Sequence, residues 1–340
     1  MKKQVSRKKV IEKKLMPQVL RILEAQGRES LEQARKRLSA IRVENVEARE
    51  GLKLYAKIWS DTIHPALLSL SCDAVSSNPF DVADLQVAVL LLTAAMDIHD
   101  DVLDKSKTKG SNPTIYGRFG EDLAILIGDA LLLEGFMMMH SLRRSMDVES
   151  SDRIMEIVNN CLLEVGNAHL MELELKRKIR VAPDEILRLI EKKAAIFEGI
   201  CEIGAIAGNG SEGQIKVLKA VGRAFGYLVM LREEFIDMFE SAELSSRLKN
   251  EYPPLPILYA IENHKVKKTV ASLRRSRRIT EDATQELVSV VYEDRNVIKL
   301  KETMTVKAMQ TIELLNAYVM KKEPASKLAL LLRGTLEDLK

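Results

Sequence analysis

Along most of the chain apolar positions recur every three to four residues, the spacing of helices that bury one face, and they almost never alternate as a strand would require. Val10, Leu15, Val19, Leu20 and Leu23 mark such a stripe over residues 5–26, and Leu31, Leu38 and Ile41 a second over 29–58, with a break expected at Gly27. A helix over 61–77 is entered at Asp61 and Pro65, and Asn78-Pro79 marks the turn after it. The next helix, capped by Asp81 or Asp84, is apolar from Leu85 onward and ends in Asp97-Ile98-His99-Asp100-Asp101-Val102-Leu103-Asp104. Residues 105–114 are a basic loop. Long helices are expected over 120–145, 151–178, 183–208 and 212–240, broken at Ala182-Pro183 and at Gly208-Asn209-Gly210. A loop over 243–255 and shorter helices to residue 338 complete the pattern, which has no repeat and no Gly/Ser-rich linker. The expectation is all-α: one large helical domain of a dozen or so helices.

Composition supports this. Aromatics are few (4%) and hydrophobic residues plentiful (46%), enough for a large core. No uninterrupted apolar run reaches membrane-spanning length, so no transmembrane helix is expected. The opening Met1-Lys2-Lys3-Gln4 lacks the apolar core of a secretory signal. Cys72, Cys161 and Cys201 are odd in number, widely spaced and set among apolar residues, which reads as reduced core thiols in a cytoplasmic protein. Residues 1–42 hold 13 Lys/Arg against 4 Glu, leaving an acidic remainder in a chain of net charge +3. Two parts are therefore expected, a basic helical N-terminal extension over 1–50 and an all-α body over 51–340. The extension is a candidate for peripheral contact with anionic lipid, although a solvated face is the plainer reading. No nucleic-acid motif accompanies it.

On a helix Asp100 and Asp104 share a face, with Asp97 and Asp101 flanking them, and four carboxylates so close need a positive charge among them. Hard oxygen ligands of this kind suit Mg2+ completed by substrate phosphate oxygens. Far downstream, Glu233-Glu234-Phe235-Ile236-Asp237 again ends an apolar run with two acids on one face. Two such faces opposed across a cavity in a bundle could hold a metal–diphosphate head above an apolar pit. That arrangement ionises an allylic diphosphate and keeps water from the carbocation.

From about residue 55 to the C-terminus the sequence resembles the trans-isoprenyl diphosphate synthases, the polyprenyl synthetase family. The resemblance rests on the 97–104 segment, Pro113-Thr114 with Phe119-Gly120, Ala124-Ile125-Leu126-Ile127-Gly128-Asp129, and Glu191-Lys192 before Ala194-Ala195-Ile196-Phe197. Gly204-Ala205-Ile206-Ala207-Gly208, and Gly222 with Gly226 ahead of the second acidic motif, complete it. It implies the class I isoprenoid synthase bundle around a central apolar cavity, a homodimer formed through the apolar helices between the two motifs, and an allylic prenyl diphosphate as substrate. It implies that Asp100, Asp101, Asp104, Glu233, Glu234 and Asp237 bind Mg2+, that Lys192 grips the allylic diphosphate, and that His99 helps place the second substrate. Lys109 stands for an arginine of the second-substrate site, and Arg232 could bind diphosphate or neutralise its acidic neighbours. Ala95 and Met96, about one turn before Asp100, would lie beneath the reacting head. A small side chain there is linked by the resemblance to long products, so a C20 or longer product walled by Leu91, Leu92 and residues 132–139 is expected.

Departures from the pattern are concentrated. Where the family has Gly-Gly-Lys-Arg-Leu-Arg-Pro to hold isopentenyl diphosphate, this chain has Trp59-Ser60-Asp61-Thr62-Ile63-His64-Pro65. A carboxylate there repels a diphosphate, and each lost charged contact is worth on the order of 1.5–3 kcal/mol. Lys109-Gly110-Ser111 replaces Arg-Arg-Gly, Glu-Glu opens the second motif, and Tyr252-Pro253-Pro254-Leu255-Pro256 replaces Lys-x-Thr-Leu-Pro, with Arg247 and Lys249 as candidate stand-ins for that lysine. Three readings follow: a polyprenyl diphosphate synthase using isopentenyl diphosphate, which the family favours; a terpene synthase or prenyltransferase to another acceptor; and a partner subunit of a heteromeric synthase, against which the retained DDxxD counts. Lys57, Lys107 or Lys109 converging near His99 would favour the first, and an acidic or apolar wall would disfavour it.

Overall fold

The structure, a computed structural model, describes residues 15–76, 82–110, 112–276, 279–318 and 320–337. The basic segment before residue 15, the Asn78-Pro79 turn, Asp81 and Ser111 lie outside the described residues. Helix α1 (Met16–Ala40) leads into α2 (Val46–Ile58), α3 (Ile63–Val75) and the acidic helix α4 (Ala83–Leu103). A two-residue hairpin, β1 (Thr108–Lys109) and β2 (Asn112–Pro113), with Gly110 at φ +57° in its turn, precedes the short α5 (Ile115–Phe119). Then come α6 (Glu121–Ser141), α7 (Val148–Lys176), α8 (Pro183–Lys193), α9 (Ala195–Ala207) and α10 (Glu212–Ile236), which carries the second acidic motif. The remaining helices are α11 (Ser241–Asn250), α12 (Leu255–Tyr259), α13 (His264–Arg275), α14 (Glu281–Tyr292), α15 (Arg295–Ala317) and α16 (Lys322–Gly334).

The core runs between α3, α4, α6, α9 and α10, where Leu67, Leu68, Leu90, Leu91, Leu131, Leu228 and Phe235 are fully or almost fully buried. Small residues set the spacing. A Cβ on Gly204 would meet the Leu68 carbonyl oxygen at 2.4 Å, so α9 crosses α3 at backbone contact. α6 and α4 are likewise drawn together, with Gly135 against Leu92.

Helix α1 corrects two expectations. It runs unbroken through Gly27, which is there because a Cβ would meet the Thr62 carbonyl oxygen at 2.5 Å. Its residues Leu23, Leu31, Ala34 and Leu38 are buried against α3, α4 and α16, so the expected boundary at residue 50 divides a continuous core. The expected loop over 243–255 contains a helix, α11, because Leu244 and Leu248 sit one turn apart and bury the same face. The segment Glu121–Arg144 is long and apolar enough by composition to span a membrane, which the absence of an unbroken apolar run did not convey. One face of α6 packs inward through Ile127, Leu131 and Met138, while Leu126, Leu133 and Met137 face outward.

Candidate active site

The last turns of α4 bring Asp97, Asp100, Asp101 and Asp104 to one rim of a cavity of about 1270 Å³. Across from them on α7, His169 and Glu172 are spaced to share a face. One ligand atom each from Asp100, His169 and Glu172 lies within 4.8 Å of the others. Asp100 Oδ1 is buried with no completed hydrogen bond, although His169 Nδ1 is 3.0 Å away. Burial alone would raise Asp100, but His169 and the Lys193 and Lys109 ammoniums hold its carboxyl below the usual carboxylate range. An ionised carboxylate with an unsatisfied buried oxygen, beside a second acid and an imidazole, fits a hard divalent cation.

Cations of the chain neutralise the neighbouring acids. Lys176 Nζ lies 2.5 Å from Asp104, and Lys193 Nζ bonds Glu172. Lys109 reaches back from the hairpin to Asp97 (2.5 Å) and Asp101 (3.0 Å). Asp101 is nevertheless pushed up to about 6, chiefly by burial, with Lys109 opposing. Glu172 is held low by Lys193 against its own burial, and Lys193 stays charged for the reciprocal reason.

The second acidic face is closed by a guanidinium. Arg247, on α11, donates Nη2 to both Glu234 oxygens at 3.0 Å and Nη1 to Asp237 at 2.5 Å, and its ring-side face lies 5.0 Å from the centre of Tyr252. Glu234 also accepts from the Leu255 backbone N–H at 2.7 Å. Glu233 is left with an exposed carboxylate on the cavity rim, beside Arg232 at 3.6 Å. Burial, reinforced by Glu234, pushes Asp237 up to about 7 despite Arg247. Of the three acids expected to bind metal here, Glu234 and Asp237 are engaged by Arg247, and Asp237 does not reach the cavity surface.

On the wall formed by residues 59–64, Asp61 Oδ2 lies 2.5 Å from His64 Nδ1, and the imidazole stacks on Phe197. Nearby, Tyr55 donates its hydroxyl to Asp97 at 3.1 Å. Met96 lines the cavity, whereas Ala95 is buried behind it. Leu91 and Leu92 pack between α4 and α6 with Gly135, Met138 and Met139, Leu133 and Met137 face outward, and none of them lines the cavity. His99 also turns away, its ring lying over Gly128, whose hydrogen alone leaves room for it, with Nε2 3.3 Å from the Ile125 carbonyl. Lys192 is exposed outside the cavity, and the adjacent Lys193 points in. Arg232 is outside the cavity lining and Lys57 is exposed away from it.

Residues 53–291 match the profile of the polyprenyl synthetase family. The chain belongs to that family. It is 28% identical over 182 residues to a short chain isoprenyl diphosphate synthase of Methanothermobacter thermautotrophicus, covering 53% of this chain and 55% of that protein. It is 26% identical over 188 residues to a geranylgeranyl diphosphate synthase of Methanosarcina mazei, covering 55% and 57%. The match thus spans about half the length of these curated relatives. The fold is that of a geranylgeranyl pyrophosphate synthetase from Pyrococcus horikoshii, with a TM-score of 0.81 at 22% identity over 96% of this chain and 99% of that one. A heptaprenyl diphosphate synthase from Staphylococcus aureus superposes with a TM-score of 0.73 at 20% identity over 91% and 97%.

Within the polyprenyl synthetase fold, the two acidic motifs of this member have diverged unequally. The first keeps an ionised, under-satisfied Asp100 facing His169 and Glu172. The second is tied into a buried ion-pair cluster by Arg247, whose guanidinium lies over Tyr252. His169 and Glu172 were the residues least marked in the sequence, their only signal being the i, i+3 spacing.

Proposed function

We propose that this polyprenyl synthetase is a prenyltransferase that binds Mg2+ and ionises an allylic prenyl diphosphate at Asp100, Asp101 and Asp104. The observation that carries the reading is the buried, unsatisfied Asp100 oxygen beside His169 and Glu172, opposite an apolar wall that includes Ile186, Leu189 and Ile190. Asp100 and Asp104 would hold the metal, with His169 and Glu172 completing the set. Bound there, the metal supplies charge to neutralise the departing diphosphate. Lys193 and Lys176 stand among the same carboxylates, where a diphosphate oxygen can displace a carboxylate as their partner. Leu189, Ile190, Ile196 and Phe197 keep the reacting carbon dry.

The reading with isopentenyl diphosphate as second substrate, giving a C20 or longer product, draws support from the names of the relatives. Its diphosphate needs cations at 61–64, and the residues there are a carboxylate, a hydroxyl and an imidazole already paired to the carboxylate. Of the other candidates, Lys109 is held by Asp97 and Asp101 and Lys57 lies away from the cavity, which leaves Lys107 on its lining. These observations favour an acceptor other than isopentenyl diphosphate. Product analysis after incubation with Mg2+ and geranylgeranyl diphosphate, with and without isopentenyl diphosphate, separates the two. Longer diphosphates that require isopentenyl diphosphate would restore elongation; prenyl products formed without it support the reading here.

A homodimer is part of the same proposal, supported by outward Leu126, Leu133 and Met137 on α6 and Leu163 and Leu170 on α7. A cytoplasmic setting is supported by three free cysteines, two of them buried.

A further inference from the structure

Asp61 and His64 are more than two substitutions in a lost diphosphate pocket. Asp61 Oδ1 accepts from the backbone N–H groups of Ile63 (3.0 Å) and His64 (3.3 Å), which fixes the carboxylate at the entry to α3. Its Oδ2 lies 2.5 Å from His64 Nδ1, and the imidazole stacks on Phe197 with ring centres 5.0 Å apart and planes 25° from parallel. These contacts hold the ring and place its proton on Nδ1. Nε2 is the nitrogen that Asp61 leaves unengaged, on a side chain that lines the cavity. Burial would weaken this base, but Asp61 and then Asp97 raise His64 above the ordinary imidazole range. The arrangement is that of a base oriented by a carboxylate.

We propose that His64, oriented by Asp61, is the general base for an uncharged hydroxyl acceptor, so that this enzyme transfers its prenyl group to an alcohol oxygen. The inference rests on the allylic donor reading above. An anionic acceptor is repelled by Asp61 and Asp97, whereas an alcohol carries no charge and can hydrogen-bond to the Ser60 and Thr62 hydroxyls on the same wall. The allylic C1–O bond breaks and its electron pair leaves with the diphosphate. A lone pair of the alcohol oxygen forms the new bond to C1, and the O–H proton passes to His64 Nε2 and then to solvent. An alcohol becomes acidic as it attacks, which is when a base within reach accelerates the step.

The test uses the full chain with Mg2+ and geranylgeranyl diphosphate, supplied with glycerol, benzyl alcohol, isopentenyl diphosphate or water alone, with organic products and inorganic diphosphate measured separately. The expected products are prenyl ethers with the alcohols and a single C1 alcohol with water, because a free allylic cation is captured at both C1 and C3. His64→Gln lowers ether formation by about 100-fold or more. Its affinity for a Mg2+-bound allylic thiolodiphosphate, which cannot ionise readily, stays unchanged and shows that the variant is folded. Asp61→Asn gives an intermediate loss with a shifted pH profile, which a purely structural role would not produce. Undiminished ether formation in His64→Gln, a C1/C3 mixture, absence of any ether, or elongation by isopentenyl diphosphate overturns the inference while diphosphate release leaves the donor reading standing. No diphosphate release under any condition overturns the donor reading, and this inference with it.

Discussion

Arg247 lays its guanidinium along the Glu234 carboxylate, Nη2 3.0 Å from both oxygens, and with its contact to Asp237 draws two of the three acids of an expected metal motif into a buried ion-pair cluster. Removing one partner of such a pair leaves an uncompensated charge, at a cost of about 3–5 kcal/mol. Arg247→Leu is expected to lower stability in urea by that order, because Glu234 and Asp237 would face each other unneutralised. Arg247→Lys should recover only part of it, since an ammonium cannot bridge Glu234 and Asp237 with a fork. A variant as stable as the parent would show that the cluster contributes nothing.

Lys193, and not Lys192, is expected to matter for binding an allylic diphosphate. Lys193→Ala should weaken a thiolodiphosphate analogue about 10–100-fold, the value of one charged hydrogen bond. Lys192→Ala should leave its Kd unchanged. Calorimetric titration of both variants checks this, and a larger loss at Lys192 would contradict the geometry.

Asp101 gives a stability prediction with a definite sign. Its pKa rises from 3.8 in the unfolded chain to about 6 in the fold, so the native state binds the proton more tightly and folding is penalised above pH 6. The penalty fades as pH falls from about 6 to 4. Asp101→Asn should therefore stabilise the metal-free protein at pH 7 by up to about 3 kcal/mol and gain nothing near pH 4. Denaturation at the two pH values measures the difference, and equal effects at both would refute the assignment.

The Asp61–His64 pair has the opposite signature on each side. His64 is raised above 6.5, so its contribution is full below that pH and is lost as pH rises through the folded value. Asp61 is lowered below 3.8, so its contribution is present above that value and lost on further acidification. Between pH 4 and 6 the pair contributes most. Thermal melts of His64→Gln should differ most from the parent in that window and converge toward it at alkaline pH.

Much of this was legible in the sequence. Long apolar stripes located α3, α4, α6, α7 and α10, and the acidic clusters marked the ends of α4 and α10 correctly. Lys192 and Lys193 show where local reading falls short. Adjacent helix residues point about 100° apart, so one step of register decides which lysine enters the cavity. The signal was present, since Ile186, Leu189 and Ile190 are buried and residue 193 continues their face. His99 failed for a different reason: its direction is set by Gly128, from a helix whose approach no local pattern reveals. Ala95 was misplaced likewise, because α4 buries residues on nearly every side and its periodicity names no cavity face. Arg247 was marked only as a stand-in for a lysine; its helix was hidden in a stretch whose Tyr-Pro-Pro tail reads as loop, although Leu244 and Leu248 carry the helical spacing.

The claim that the Asp100 cluster ionises an allylic diphosphate is tested most directly by inorganic diphosphate release from geranylgeranyl diphosphate, measured with Mg2+ and with chelator for the parent protein and Asp100→Asn. Release is expected to depend on Mg2+ and to fall about 100–1000-fold in the variant, as for removal of a group that stabilises developing charge. Equal release by both proteins, or none by the parent with Mg2+ bound, would contradict it.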